Sequence, residues 1–460
     1  MEKDFNTNCL RLMEILYDSG DQPNRGSAGG VMENVQMKIQ KLDAFIDDEG
    51  RLVLPAEVVK QYGLRQGTKI HIDKSSKGLY LHQPVTYLSK IYIEPTNRCN
   101  LECRTCIRNV WDEPLGEMSS ATFARIVQGL RSFSPPPTVF FGGLGEPLSH
   151  PDIVEMVSQA KALGSTVELI TNGTLLTKTL SKQLIDAGLD FLWVSLDGAT
   201  PESYADVRLG AALPEVLSNL AGFREACWAT RFSAFFMSYH LKPEIGIVFV
   251  AMKRNIADLP GVLRLGNRLG TRRFLVTNIL PYTAEMYDEI LYSRALNDAI
   301  YSSSLWGFSL EIPKIDINTM TQGVLYQMML SGHPLSFAGA GLGEGNDRCP
   351  FIEKGSVAIR WDGNVSPCLP LLHDHKTFLY GYERSLRHYE VGNVMKQDLY
   401  DLWNLPEYLS FRDQLQKFDF SPCTFCGGCD LMENNEEDCF GNTFPTCGGC
   451  LWAQGVIQCP

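Results

Sequence analysis

The chain lacks the features that would tie it to a membrane or to nucleic acid. Nowhere do eighteen apolar residues run together, so a spanning helix is not expected. Positive charge is in deficit: 41 Lys and Arg face 53 Asp and Glu, a formal net charge of -12, which argues against general affinity for nucleic acid or anionic lipid. The opening Met1-Glu2-Lys3-Asp4 is charged, and no apolar stretch of a secretion signal follows it, so a cytoplasmic protein is expected. What remains is an ordinary soluble composition, 44% apolar and 20% charged, in 460 residues, enough for two or three domains.

Cysteine is plentiful. In a reducing compartment clustered thiols bind metal or do chemistry more often than they form disulfides. Twelve of the 14 fall into two groups, 99–106 and 349–459, leaving Cys9 and Cys227 as ordinary free thiols. The grouping divides the chain. Residues 1–37 read as a flexible N-terminal segment with a Gly/Ser/Asn-rich run at 19–30. Residues 38–85 read as strand, turn, strand, short helix and a second pair of strands, with Pro55 opening the helix and Gly63 closing it.

From residue 91 strands and helices alternate. Runs at 91–94, 138–141, 167–171, 191–196, 246–251 and 273–277 are β-branched or aromatic, and capped apolar-periodic stretches such as 119–133, 152–163 and 177–187 separate them. Alternation of this kind implies parallel βαβ units. The expected fold is α/β, a partial (β/α)6 barrel over 86–280 with its chemistry at the C-terminal strand ends. A helical bridge is expected over 281–345 and a cysteine-rich domain over 346–460.

The loop after the first barrel strand carries Cys99, Cys103 and Cys106 with C-x3-C-x2-C spacing. Three thiolates on one short loop can hold a [4Fe–4S] cube and leave one iron open. A closed zinc site wants four ligands, usually as two C-x2-C pairs. This spacing resembles the radical S-adenosylmethionine (SAM) superfamily. Gly142, Gly143, Gly145 and Glu146, at the end of the second strand, resemble that family's glycine-rich SAM motif. The resemblance implies further SAM contacts from Asn172, Ser195 and Asp197 at the third and fourth strand ends, with Arg208 a possible partner of the SAM carboxylate. Turn chemistry alone would also explain Asn-Gly and Asp-Gly. The family's usual aromatic before the last cysteine is replaced here by Thr105.

In the second group Cys349, Gly363 and Cys368 give C-x13-G-x4-C, and Cys423, Cys426, Cys429, Cys439, Cys447, Cys450 and Cys459 follow. This resembles the SPASM extension, which implies two auxiliary [4Fe–4S] clusters. A zinc ribbon on Cys423/Cys426 and Cys447/Cys450 is the alternative. Residues 38–85 resemble SpoVT-AbrB swapped-hairpin domains, which implies a possible homodimer. DNA binding is not expected, because eight Lys and Arg stand against six Asp and Glu over 38–82. Together with Ile107-Arg108-Asn109-Val110-Trp111 and Cys447-Gly448-Gly449-Cys450, these features resemble the tungsten cofactor oxidoreductase radical SAM maturases. That resemblance implies reductive SAM cleavage to a 5′-deoxyadenosyl radical, a low-potential donor such as ferredoxin or flavodoxin, and maturation of a tungsten-pterin aldehyde oxidoreductase. Alternatives are a peptide- or protein-modifying maturase and a non-catalytic iron–sulfur scaffold or metallochaperone. His373-Asp374-His375 and the acidic run 433–438 read as solvated loops.

Overall fold

A computed structural model describes residues 42–75, 78–233, 243–271, 273–293, 311–312, 314–330, 336–337, 348–379, 381–426 and 429–460. The chain forms two compact units, one ending at Gln61 and the other running from Tyr62 to Pro460. The expectation for residues 1–37, and Cys9 with it, lies outside the described residues. Within the first unit β1 (Phe45–Ile46) pairs antiparallel with β2 (Leu52–Val53), and the helix Ala56–Gln61 follows. The second hairpin expected of the same module, β3 (Ile72–Ser75) with β4 (Gly78–Leu81), belongs to the second unit.

The second unit is built on β5 (Lys90–Ile93), β6 (Thr138–Phe141), β7 (Val167–Thr171), β8 (Phe191–Ser195), β9 (Glu244–Ala251) and β10 (Arg273–Asn278), all parallel and in chain order. Each crossover is written in local sequence. Ser119 caps the helix Ser120–Leu130 by accepting from Thr122 N, and Phe123, Ile126, Val127 and Leu130 form its buried face. Thr177 caps Lys178–Asp186 in the same way, and Thr200 with Ser203 closes a capping box on Pro201–Val207.

Side chains alternate across the strands, as the period of two requires. Ile91, Ile93, Val139, Phe141, Leu192 and Val194 meet the crossover helices. On the opposite face Tyr92, Phe140, Phe191, Trp193, Val248 and Leu275 form a separate core with Phe351, Ile352, Leu371 and Leu372 of the C-terminal region. The C-terminal region therefore closes the open side of the barrel.

It also extends the sheet. β13 (Ser356–Ile359) pairs parallel with β5, and β14 (Asn364–Ser366) and β17 (Gly392–Asn393) continue antiparallel beyond it. At the far edge β11 (Glu311–Ile312) and β12 (Ser336–Phe337) add to β10, giving eleven strands. The region read as a helical bridge thus contributes two strands as well as the helix Gln322–Leu330. Among the described residues no helix is long and apolar enough to cross a membrane.

Candidate functional site

The cysteine loop leaves β5 and is held by its own polar residues. Thr96 Oγ1 donates to Gly116 O at 2.8 Å, and Asn97 accepts from Gly116 N at 2.7 Å while donating to Pro114 O at 2.9 Å. Two backbone bonds, Glu102 N to Leu209 O and Arg104 N to Val207 O, tie the loop to the segment after the helix Pro201–Val207. That segment presents Arg208, whose Nη1 lies 3.7 Å from Cys103 Sγ. From the end of β7, Asn172 Nδ2 reaches 3.9 Å from Cys99 Sγ and donates to Asn100 Oδ1 at 2.9 Å. Two of the three sulfurs thus face N–H groups. Burial pushes the Cys99 and Cys106 thiols up, so they need a cationic partner to ionise fully.

The spacing of the sulfurs is informative. Among the described residues only Glu113, Asp374 and His388 bring three His, Cys, Asp or Glu ligand atoms within 4.8 Å of one another. A tetrahedral zinc with Zn–S near 2.3 Å would hold its sulfurs about 3.8 Å apart. Three thiols on one loop leave a fourth position open, which suits a site-differentiated cube better than a closed four-ligand zinc site.

A cavity of about 340 Å³ opens above the loop, lined by Cys99, Cys103 and Cys106 together with Gly143, Gly145, Glu146, Asn172, Ser195 and Arg208. The glycine segment lies against the cysteine loop: a Cβ on Gly145 would sit 2.1 Å from Thr96 O, and one on Gly143 (φ 151°) 2.6 Å from Glu94 Cγ. Glu146 is buried, with its pKa raised by that burial, and accepts from Leu148 N, Thr171 Oγ1 and Asn172 N at 3.0, 2.8 and 2.7 Å. It therefore locks the ends of β6 and β7 together.

Two residues expected to touch SAM stand behind this wall. Gly142 packs where a Cβ would meet Phe140 and Ile170. Asp197 is fully buried; Oδ2 accepts from Arg208 Nε at 2.6 Å and Oδ1 from Val250 N at 2.7 Å. The carboxylate thus anchors Arg208, which itself lines the cavity. Thr105, the non-aromatic residue of the loop, is also on the wall.

The sequence reading missed the residues on the far side of the cavity. His373, read as part of a solvated loop, is buried with Nε2 2.9 Å from Glu94 Oε2 and Nδ1 2.6 Å from Glu113 Oε2. Burial alone would lower its pKa, but the bonds to Glu113 and Glu94 outweigh it and push it up to about 9. The same contact holds Glu113 below its ordinary value despite burial. A raised histidine stabilises the fold fully below its unfolded pKa of about 6.5, and that contribution is lost as pH rises through the folded value. The melting-temperature gap between wild type and His373→Gln is therefore expected to shrink between about pH 6.5 and about pH 9. A gap constant across a thermal-melt series in that range would remove the charged contact.

In the C-terminal region Cys349, Cys368, Cys447 and Cys450 line a second, smaller cavity of about 40 Å³ with Arg384. Burial and the neighbouring thiols push Cys349 up to about 12 and Cys368 and Cys447 well above the ordinary thiol. Four sulfurs of this kind suit a fully ligated cluster. Cys423 is part-buried, with Sγ 3.0 Å from Ser421 Oγ, whereas Cys429 and Cys439 are exposed. The Cys426 side chain lies outside the described residues. Cys459 lines the first cavity, and its Sγ accepts from Trp452 Nε1 at 3.3 Å. The acidic run is only partly solvated: Asp438 is buried and accepts from Ser421, Phe440 and Asn442 N.

Residues 93–238 match the radical SAM superfamily model, and 349–430 match SPASM, an iron–sulfur cluster-binding domain. The chain is 30% identical over 382 residues to the tungsten-containing aldehyde ferredoxin oxidoreductase cofactor-modifying protein of Pyrococcus furiosus, covering 80% of this chain and 96% of that one. It is 26% identical to the Fe-coproporphyrin III synthase of Methanosarcina barkeri, covering 79% and 87%. Similarity to the PqqA peptide cyclase of Gluconobacter oxydans, 29% identical, covers 41% of this chain and 49% of that one. Motif spacing, barrel topology and similarity along most of its length agree: the chain belongs to the radical SAM family with a SPASM domain, enzymes that use SAM on a [4Fe–4S] cluster and carry further iron–sulfur clusters.

Proposed function

We propose that the chain modifies the cofactor of a tungsten-containing aldehyde oxidoreductase by radical SAM chemistry. The single observation that carries this reading is the extent of similarity. Relatives matching about four fifths of the chain are named for a tungsten cofactor and an iron porphyrin, whereas the peptide cyclase matches 41% of it. The likeness to these two proteins thus extends over far more of the chain than the likeness to the peptide cyclase.

In this reading Cys99, Cys103 and Cys106 hold the SAM cluster. When bound, the cluster and SAM together supply a carbon-centred 5′-deoxyadenosyl radical that takes hydrogen from the substrate. The chain's own residues do the positioning. Gly143 and Gly145 let backbone approach the methionyl end, Asn172 and Ser195 offer polar groups to SAM, and Arg208 places a guanidinium beside Cys103. Cys349, Cys368, Cys447 and Cys450 hold one auxiliary cluster; Cys423, Cys426, Cys429, Cys439 and Cys459 are the remaining candidates for a second.

The test supplies the reduced holoenzyme with SAM and either the cofactor-bearing aldehyde oxidoreductase or short peptide precursors. Faster 5′-deoxyadenosine formation and a mass change confined to the tungsten cofactor are expected. The same response confined to a peptide would overturn the cofactor reading in favour of a peptide-modifying maturase.

A further inference from the structure

We propose that Arg384 is a positioning residue that sets a redox potential. Its guanidinium, fixed against Cys447-Gly448-Gly449-Cys450, stabilises the reduced form of the auxiliary cluster held by Cys349, Cys368, Cys447 and Cys450. The proposal rests on the auxiliary-cluster assignment above and is independent of which substrate is modified.

Arg384 lies on β16 (Tyr382–Leu386), which pairs antiparallel with β15 (His375–Leu379). It is the buried residue of that strand, with Tyr382, Glu383 and Ser385 exposed around it. Nε and Nη2 both donate to Asn434 O, at 3.3 and 3.1 Å. That fork fixes the plane of the guanidinium and leaves Nη1 on the cysteine side. A Cβ on Gly449 would stand 1.6 Å from Nη1, so the guanidinium occupies the place of a side chain between Cys447 and Cys450. A Cβ on Gly448 would stand 1.8 Å from Ser421 O, so the segment is clamped from both sides. Arg384 and Gly449 line the second cavity together with the four cysteines.

The charged groups around Arg384 define its part. Cys423, Cys447 and Cys450 act on it, and no Asp or Glu is among them. A buried cation without a counter-charge is costly, so this one calls for negative charge close by. Thiolates on a [4Fe–4S] cube supply that charge, and each electron the cube accepts from a low-potential donor adds one more negative charge while no bond breaks. Arginine keeps its proton in both redox states. It therefore favours the reduced cube, since net charge and hydrogen bonds to sulfur set the potentials of such clusters. Arg208, beside Cys103 of the SAM loop, differs: Asp197 pairs with it at 2.5 Å and neutralises it.

The test is a redox titration of the anaerobic holoenzyme followed by low-temperature electron paramagnetic resonance, with iron determined in each sample. Arg384→Met is expected to lower the midpoint potential of one SAM-insensitive cluster by about 59 mV or more, a tenfold change in its reduced-to-oxidised ratio. Arg384→Lys, which keeps the charge, is expected to lower it less. The SAM-responsive cluster of the same molecules should not move. Gly449→Ala, which pushes the guanidinium aside, is expected to lower the same potential and to add nothing in an Arg384→Met background. With iron retained, an unchanged potential in Arg384→Met overturns the proposal, as do equal falls in the Met and Lys variants. Loss of the cluster from both variants overturns it in favour of a purely structural role. If Arg384→Met alone loses iron, Gly449→Ala decides: a lowered potential supports the proposal and an unchanged one overturns it. A wild type holding no C-terminal cluster overturns the cluster assignment as well, whereas a cluster with an unmoved potential overturns the role of Arg384 alone.

Discussion

Replacing Cys99, Cys103 and Cys106 together by Ala is expected to lower iron by about four per chain and to abolish SAM cleavage, while the C-terminal clusters persist. The separation follows from the fold. The three cysteines sit on one loop after β5, whereas Cys349, Cys368, Cys447 and Cys450 line a different cavity with its own buried arginine. Arg208 and Asn172 face Cys103 and Cys99 but also have oxygen partners in Asp197 and Asn100, so the loop keeps its anchors when the sulfurs are removed. Iron and sulfide determination with 5′-deoxyadenosine quantification reads the outcome. Loss of all iron would mean that the sites assemble as one unit, and residual SAM cleavage would refute the loop as the SAM site.

Gly145→Ala is expected to have a comparable effect on SAM binding by a purely steric route. Its Cβ would stand 2.1 Å from Thr96 O and 2.6 Å from Arg98 O, both backbone atoms that cannot rotate away. The neighbouring bond from Glu146 N to Arg98 O at 2.8 Å fixes the glycine segment against the cysteine loop, so the methyl must pry the two apart. Overpacking of this kind costs about 1–3 kcal/mol, and here the displacement falls on the cavity wall. Gly323→Ala is the control, since nothing lies within 4 Å of its Cβ. Thermal melts and SAM titrations should show a large loss for the first and stability equal to or above wild type for the second. Unchanged SAM affinity in Gly145→Ala would show that the close approach of the two loops is not needed.

The readable parts of this site were those written in adjacent residues. C-x3-C-x2-C and the glycine segment are each confined to a few positions, and the strand–helix alternation places both at strand ends. The six barrel strands were legible for the same reason, because βαβ units are local. The unread parts depend on distant meetings. Pairing of β13 with β5 and burial of His373 against Glu94 and Glu113 leave no trace in local spacing. His373 looked solvated because its partners lie far away in sequence. Asp197 shows the converse: a polar strand-end residue looked like a ligand contact, yet its carboxylate is spent on Arg208.

The central claim, that the loop of Cys99, Cys103 and Cys106 binds SAM through a [4Fe–4S] cluster, is tested most directly by low-temperature electron paramagnetic resonance. The reduced holoenzyme is measured with and without SAM, beside the Cys99→Ala, Cys103→Ala, Cys106→Ala triple variant. A cluster signal that changes on adding SAM in wild type and is missing from the variant is expected. A SAM-responsive signal that survives in the variant would contradict it.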